Sequence, residues 1–253
     1  MATRSNRNGD ESEGGTKGIS IGVEGFDAMV GGSLPSGRLY VISGPPGSGK
    51  TTLSAQFVTE GIRENERCLY VSMHETEAEL IHDMSGFDFP FDRAVKSDSF
   101  QFVNLLSDRA KRLLGVKGES GTFTVTNATN RLRNFIESNN IDRVVFDSTM
   151  VLDHYFDDAE DVVVEFLLGL KRTDATIFVI SEMTDPTSYG REHYLAHGVV
   201  FLHNFLDRSV EAGGMARGLQ IIKMRGRSIE GGVKRLAFSE GGLVVSPDES
   251  VTW

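Results

Sequence analysis

Residues 44–51, with the sequence GPPGSGKT, have the spacing of a phosphate-binding loop that ends in a lysine and a hydroxyl side chain. Glycines in such a loop let backbone N–H groups turn inward around phosphate oxygens, and the following helix points its positive N-terminus at the same anion. Lys50 could then reach the β- and γ-phosphates, while Thr51 offers a hydroxyl to Mg²⁺. The predicted nucleotide-binding residues are Gly44, Pro45, Pro46, Gly47, Ser48, Gly49, Lys50, Thr51 and Thr52.

Two acidic residues that follow other apolar runs could complete this site. Asp147 ends the run VVF, and an acid at the carboxyl end of a parallel strand lies beside the phosphate crevice. There it could hold Mg²⁺ through its water shell, unless it only caps the strand end. Glu75 is the candidate base for the attacking water, or else a solvated acid in the first turn of a helix. His74 is either a partner of Glu75 or simply exposed.

Three cations, Lys223, Arg225 and Arg227, occupy alternate positions close to the end of the sequence. On a strand they would share one face, because side chains alternate with period two. That face could be solvated and paired with nearby acids, or it could bind a phosphate. The net charge of −10 argues weakly against a nucleic-acid partner, since phosphate binding favours a basic face, but a local basic groove stays possible. Such acidity could also reflect a salt-rich cytoplasm.

The elements that must position these residues alternate short apolar runs with amphipathic stretches, as in a parallel sheet covered by helices. Strands are predicted at 38–43, 67–73, 100–106, 142–148 and 175–181. Helices are predicted at 50–61, 129–140 and 159–172, and a further helix starts from the capping-box pair Thr76 and Glu79 and runs to about Ser85. After residue 197, four apolar runs with short turns predict an antiparallel extension. The expected fold class is α/β.

The chain has 253 residues, of which 39% are hydrophobic, and this suits one domain over residues 18–247. We expect residues 1–17 to form a disordered polar tail and residues 248–253 a short C-terminal tail. The N-terminus lacks the apolar segment of a secretory signal, and no apolar run is long enough for a membrane helix, so we predict a cytoplasmic protein. Cys68, the only cysteine, is predicted to be a buried structural thiol.

Residues 18–57 resemble the opening of a KaiC-type domain of the RecA superfamily. Later stretches agree with that family in order and spacing: CLYVSMHET, DRVVFDSTMVLDHYF, ATIFVISEM and LQIIKMRGRS. The resemblance extends from about Gly18 to Val245. It implies a RecA-like P-loop core, bound ATP with Mg²⁺, and a homo-oligomeric ring, usually hexameric, with ATP at the subunit boundaries. It also implies that Lys223 and Arg225 reach the ATP of the neighbouring subunit.

The sequence departs from the family pattern in three places. Two adjacent glutamates follow the second core strand in the family, where this chain has His74 and Glu75. Ile229 stands where the family commonly has a histidine after the basic strand. The clock members carry two domains and a Ser/Thr phosphoacceptor pair, whereas residues 191–198 contain neither Ser nor Thr, although Thr187 and Ser188 lie nearby.

These features favour a slow, ring-forming ATPase with a regulatory output and an unknown protein partner. In this hypothesis Lys50, Glu75, Lys223 and Arg225 are catalytic. One alternative is a nucleotide switch that binds ATP without hydrolysing it. Another is a recombination-accessory ATPase that binds single-stranded DNA through the loops at 149–158 and 184–196. The last alternative is a Ser/Thr autokinase.

Overall fold

The computed structural model describes residues 18–104, 124–149, 152, 161–207 and 214–251. The predicted N-terminal tail lies outside these ranges. The strands are β1 (Gly18–Ile19), β2 (Leu34–Pro35), β3 (Leu39–Gly44), β4 (Cys68–Ser72), β5 (Phe100–Asn104), β6 (Arg143–Asp147), β7 (Thr176–Glu182), β8 (Gly198–Asp207), β9 (Gly214–Met224), β10 (Val233–Ser239) and β11 (Gly242–Ser250).

Nine of these strands form one sheet in the order β11-β10-β9-β8-β3-β7-β6-β4-β5. Pairing is parallel from β8 through β3, β7, β6 and β4 to β5. It is antiparallel among β8, β9, β10 and β11. The predicted α/β class is therefore confirmed, with a mostly parallel sheet and an antiparallel C-terminal extension. β1 and β2 pair separately as a small antiparallel ladder.

Helices pack on both faces of the sheet. They are α1 (Phe26–Met29), α2 (Lys50–Arg63), α3 (Glu77–Met84), α4 (Phe91–Val95), α5 (Val125–Ser138), α6 (Val162–Leu170) and α7 (Arg191–Leu195). The predicted capping box forms, because the Thr76 hydroxyl accepts from the Glu79 N–H and the Glu79 carboxylate accepts from the Thr76 N–H. α5 begins four residues before its predicted start, since Thr124 caps it by accepting from the Asn127 N–H.

Alternation along the central strand separates two apolar clusters on opposite faces of the sheet. Tyr40 and Ile42 of β3 face a cluster that includes α2 and the C-terminal strands. Leu39 and Val41 face the cluster that includes α5 and α6. All six residues of β3 are buried, which fits a central strand covered on both sides. Cys68 is buried and free, as predicted.

The ends of the C-terminal strands differ from the sequence expectation. β9 ends at Met224, so Arg225 and Arg227 lie beyond it, and the prediction that three cations share one strand face is wrong. β11 continues to Ser250, three residues past the predicted domain boundary at 247. Among the described residues, none of the helices has the length and apolar character needed to cross a membrane.

Candidate nucleotide site

The predicted phosphate loop connects the end of β3 to the start of α2. At Gly44 the backbone φ is +150°, and a Cβ there would lie 2.3 Å from the Leu202 carbonyl oxygen and 2.8 Å from the Ser48 hydroxyl oxygen. Only glycine fits this close approach. Within the described part of the chain, the buried Ser48 hydroxyl has no hydrogen-bond partner. A tight glycine-dependent loop with an unsatisfied hydroxyl, at the start of a helix, fits a bound phosphate.

Lys50 lies at the base of this loop and is only 6% exposed. Its Nζ donates to the carbonyl oxygens of Gly44 at 2.8 Å and Pro45 at 3.1 Å. Nζ also forms an ion pair with Oε1 of Glu182 at 3.0 Å. Buried charge requires such compensation, so the lysine is held where the loop opens.

Glu182 was missed in the sequence analysis, because the strand before it was predicted to end at residue 181. It is the last residue of β7 and pairs directly with Gly44 across the parallel ladder. An acid at the carboxyl end of a core strand was the signal used for Asp147, and the same signal applied to Glu182 would have found it.

Asp147 ends β6 and is 3% exposed. Its Oδ2 accepts a hydrogen bond of 2.8 Å from the hydroxyl of Tyr70, a fully buried residue on the neighbouring strand β4. Burial raises the pKa of Asp147 above its ordinary value, while the Tyr70 hydrogen bond and the charges of His74 and Lys50 lower it. The arrangement fits Mg²⁺ because a carboxylate is the type of ligand that a hard cation prefers.

Tyr70→Phe should raise the Mg²⁺ concentration required for tight nucleotide binding by about tenfold, as is typical for loss of a partner that orients a metal ligand. The Tyr70 hydroxyl fixes Oδ2 of Asp147, so its removal frees the carboxylate to rotate. Mg²⁺ titration of fluorescent nucleotide binding measures this shift. Tyr40→Phe is the matched control, because the buried Tyr40 hydroxyl donates only to the Pro35 carbonyl oxygen. Equal Mg²⁺ requirements for both variants would contradict the assignment.

Glu75 lies in the short connection between β4 and α3. Its N–H donates to the Ser72 hydroxyl at 2.9 Å, and its carbonyl oxygen accepts from the Asn104 amide at 2.8 Å. Burial raises the pKa of Glu75 above its ordinary value; the charge of His74 lowers it and the Asp147 carboxylate raises it. These interactions hold Glu75 across the carboxyl ends of β4 and β5, close to Asp147.

His74 is both exposed and close to Glu75, so the two alternatives for this residue apply together. Its side chain is 50% exposed, and Nε2 lies 3.8 Å from Oε1 of Glu75. Ile229, the other departure from the family pattern, is partly buried and packs against the apolar cluster on the α2 face of the sheet. It therefore contributes to packing.

Lys223 and Arg225 do not contact the phosphate loop of their own chain through any hydrogen bond between described residues. Lys223 Nζ donates to the carbonyl oxygens of His193 at 3.0 Å and Tyr194 at 3.1 Å. Arg225 Nη2 donates to the same Tyr194 oxygen at 3.2 Å. Arg227 Nη1 instead donates to the carbonyl oxygens of Val30 at 3.4 Å and Gly31 at 3.2 Å.

Arg217 and Phe238 also lie beside the loop, and the sequence carried no signal for them. Arg217 Nε donates to the Gly47 carbonyl oxygen at 3.3 Å, and its guanidinium lies 4.7 Å from the centroid of the Phe238 ring. A Cβ on Gly49 would lie 3.2 Å from that ring. The C-terminal strands therefore form one wall of the loop.

The sheet order, the loop after the central strand and the acids at the neighbouring strand ends define a P-loop fold of the RecA type. The family model of the KaiC ATPase matches residues 19–250. The chain belongs to the KaiC ATPase family.

Curated relatives and a solved structure agree with this family. The chain is 28% identical over 234 residues to the circadian clock oscillator protein KaiC of Parathermosynechococcus lividus, covering 89% of this chain and 42% of the relative. It is 29% identical over 237 residues to the protein of that name in Synechococcus elongatus, covering 89% and 43%. The chain thus spans less than half the length of these relatives.

The fold also matches the crystal structure of a KaiC-like protein from the hyperthermophilic archaeon Pyrococcus horikoshii OT3. The TM-score is 0.75 at 24% identity, and the match covers 92% of this chain and all (100%) of the other. At this identity the likeness shows the fold.

Proposed function

We propose that this protein binds ATP with Mg²⁺ and hydrolyses it slowly. It would do so as a cytoplasmic homo-oligomeric ring, of six subunits as the family resemblance implies, whose nucleotide state regulates a protein partner. One observation carries the proposal: Lys50, Asp147 and Glu75 lie together at the carboxyl ends of the parallel core strands. Their electrostatic coupling supports this, since Lys50 lowers the pKa of Asp147 and Asp147 raises the pKa of Glu75.

Each of these side chains would have a separate role. Lys50 would exchange the Glu182 carboxylate for phosphate oxygens. Thr51 and Asp147 would hold Mg²⁺, which supplies charge stabilisation at the phosphates when it is bound. Glu75 would orient the attacking water and accept its proton. A raised pKa favours proton acceptance by a carboxylate, provided that the group is still ionised near neutral pH.

Charge that develops on the transferred phosphoryl group would be stabilised by Lys223 and Arg225 of the adjacent subunit. Two observations support action in trans. From the family resemblance we expect these positions to lie against a neighbour's nucleotide, and both side chains point to α7 rather than to their own loop. Cations supplied in this way act only in the transition state, which is where they accelerate the reaction.

Glu75→Gln should lower the rate of ATP hydrolysis by about 10²-fold or more, because glutamine cannot accept the proton of the attacking water. Nucleotide affinity should change little, since Glu75 is not among the predicted phosphate ligands. Phosphate release and nucleotide binding, measured in parallel, separate the two effects. Glu79→Gln is the control, because a glutamine at that position still completes the capping box with Thr76. If Glu75→Gln hydrolysed ATP as fast as wild type, Glu75 would not be the base.

His74 favours a second candidate, a nucleotide switch that binds ATP without hydrolysing it. It replaces one of two family glutamates and is half exposed. In that case the wild-type protein would bind nucleotide and release no phosphate above the level of a Lys50→Ala control.

DNA binding and autophosphorylation stay alternatives. Most of the predicted DNA-contacting loop at 149–158 lies outside the described residues. In the second loop, the Thr187 hydroxyl donates to Asp185 at 2.7 Å, so a carboxylate already holds this candidate phosphoacceptor. Salt-sensitive binding to single-stranded DNA would favour the first alternative, and transfer of labelled phosphate to the chain would favour the second.

A further inference from the structure

Helix α7 is attached on one side to the two strands that carry Gly44 and Glu182. The His193 ring joins the Ser43 hydroxyl through a hydrogen bond of 2.7 Å between Nε2 and Oγ. On the adjacent strand, the Ser181 hydroxyl donates to Oε1 of Glu192 at 2.6 Å. Ser43 directly precedes Gly44, where the phosphate loop begins. The helix is therefore fixed to the part of the sheet that holds the nucleotide.

His193 makes a firm attachment because it is almost completely enclosed. The side chain is 3% exposed, and the Gly190 N–H lies 3.0 Å from Nδ1 and points to it. Burial lowers the pKa of His193 below its ordinary value, so the ring is neutral near pH 7. A neutral, buried ring that is bonded through both nitrogens has little freedom to reorient.

The last turn of α7 also holds the two cations. The carbonyl oxygens of His193 and Tyr194 accept from Lys223, and Tyr194 also accepts from Arg225. These oxygens belong to the last turn of the helix, where carbonyls have no partner within the helix. In addition, the Arg225 N–H donates to the His197 carbonyl oxygen at 2.8 Å, just after the helix. The position of α7 therefore sets the direction of both side chains.

We infer that Ser43 and His193 are positioning residues for Lys223 and Arg225. They fix α7 to the strand that enters the phosphate loop, and α7 fixes the cations that a subunit presents to its neighbour. This inference rests on the proposed function, because Lys223 and Arg225 must act on ATP for their position to affect hydrolysis. Through α7, each subunit's own phosphate loop is therefore physically connected to the cations that the same subunit supplies to its neighbour.

A double-mutant cycle with Ser43→Ala and Arg225→Ala tests whether Ser43 acts through Arg225. Ser43→Ala alone should reduce kcat by about tenfold, the order expected for groups in one hydrogen-bond network, and leave the Kd for nucleotide unchanged. In the Arg225→Ala background the same substitution should have little further effect. The inference would be overturned if the losses of kcat from the two substitutions were additive in free energy. It would also be overturned if Ser43→Ala weakened nucleotide binding and left kcat unchanged. His193→Gln, which removes the ring but keeps an amide, provides a second variant for the same cycle.

Hydrogen exchange in the nucleotide-free protein supplies a measurement that does not depend on catalysis. Ser43→Ala should accelerate exchange of the Ala196 and Arg225 amides, whose acceptors lie in or just after α7. Thr129→Val is the matched control, because it removes a buried hydroxyl that donates to the Val125 carbonyl oxygen within α5. Unchanged exchange would overturn the positioning role. If wild type hydrolyses no ATP, the proposed function fails, while exchange still decides whether Ser43 holds α7.

Discussion

Arg225→Ala is expected to reduce the rate of ATP hydrolysis by about 10³-fold, at the lower end of the effect of an arginine that stabilises phosphoryl transfer from a neighbouring subunit. The guanidinium donates to the Tyr194 carbonyl oxygen at the end of α7, and its replacement removes a cation without removing a core contact. Nucleotide affinity should fall much less than kcat, because the proposed interaction is strongest in the transition state. Phosphate release under saturating ATP measures the effect.

Arg227→Ala provides a control within the same turn. It removes the same charge, but Arg227 donates to the carbonyl oxygens of Val30 and Gly31, on another part of the chain. Its rate of hydrolysis should stay within a few-fold of wild type. If the two variants lose activity equally, the effect is one of overall charge, and the specific role of Arg225 is wrong.

Arg143→Met is expected to lower the free energy of unfolding by about 3–5 kcal/mol, the typical cost of breaking a buried ion pair. The Arg143 side chain is 1% exposed and Nε donates to Glu66 at 2.5 Å. Its Nη1 donates to the carbonyl oxygens of Ser20 and Phe57, at 2.8 and 3.0 Å. Methionine retains apolar volume but removes these donors, and the buried Glu66 carboxylate loses the guanidinium that compensates its charge.

Urea unfolding with linear extrapolation measures this loss. Lys96→Met is the control, since Lys96 and Asp92, which form an ion pair at 3.3 Å, are 74% and 56% exposed. Exposed pairs contribute little, so this variant should stay close to wild type. A similar small change for Arg143→Met would show that the buried network does not stabilise the fold.

Local sequence patterns predicted the elements of the sheet because burial on both faces leaves continuous apolar runs. They also predicted the capping box at Thr76, where the two interacting residues are three apart in sequence. The start of α5 was predicted too late, because the prediction rested on Leu132, Phe135 and Ile136 and overlooked the buried Val125 and Ala128 in the first turn. Periodicity locates the middle of a helix better than its ends.

The partners of the predicted site residues could not be predicted from local sequence patterns. Tyr70 reaches Asp147 from the adjacent strand, and Glu182 reaches Lys50 from another. Both contacts depend on the strand order β3-β7-β6-β4, which is a property of the whole sheet. Sequence spacing identified residues that follow strands, whereas only the pairing of those strands shows which side chains meet.

A β-bulge explains why the direction of Lys223 was also unpredictable. The register between β8 and β9 shifts, so that Val199 pairs with Lys223 while Val200 pairs with Ile221. Ile222 is the extra residue. Without the shift, simple alternation would place Lys223 on the same face as Ile221, which belongs to the α2-side cluster. With it, Lys223 lies on the face of α7, in keeping with the tendency of bulges to redirect a side chain.

Mixing two inactive variants tests the central claim that the ATP site is shared between subunits. Glu75→Gln keeps Arg225, and Arg225→Ala keeps Glu75, so a mixed ring contains some boundaries where both native residues meet. With random assembly at equal amounts, about one boundary in four combines them. We predict that hydrolysis recovers to about a quarter of the wild-type rate once native mass spectrometry shows mixed assemblies. Mixed assemblies whose activity remains the mean of the two separate variants would contradict a shared site.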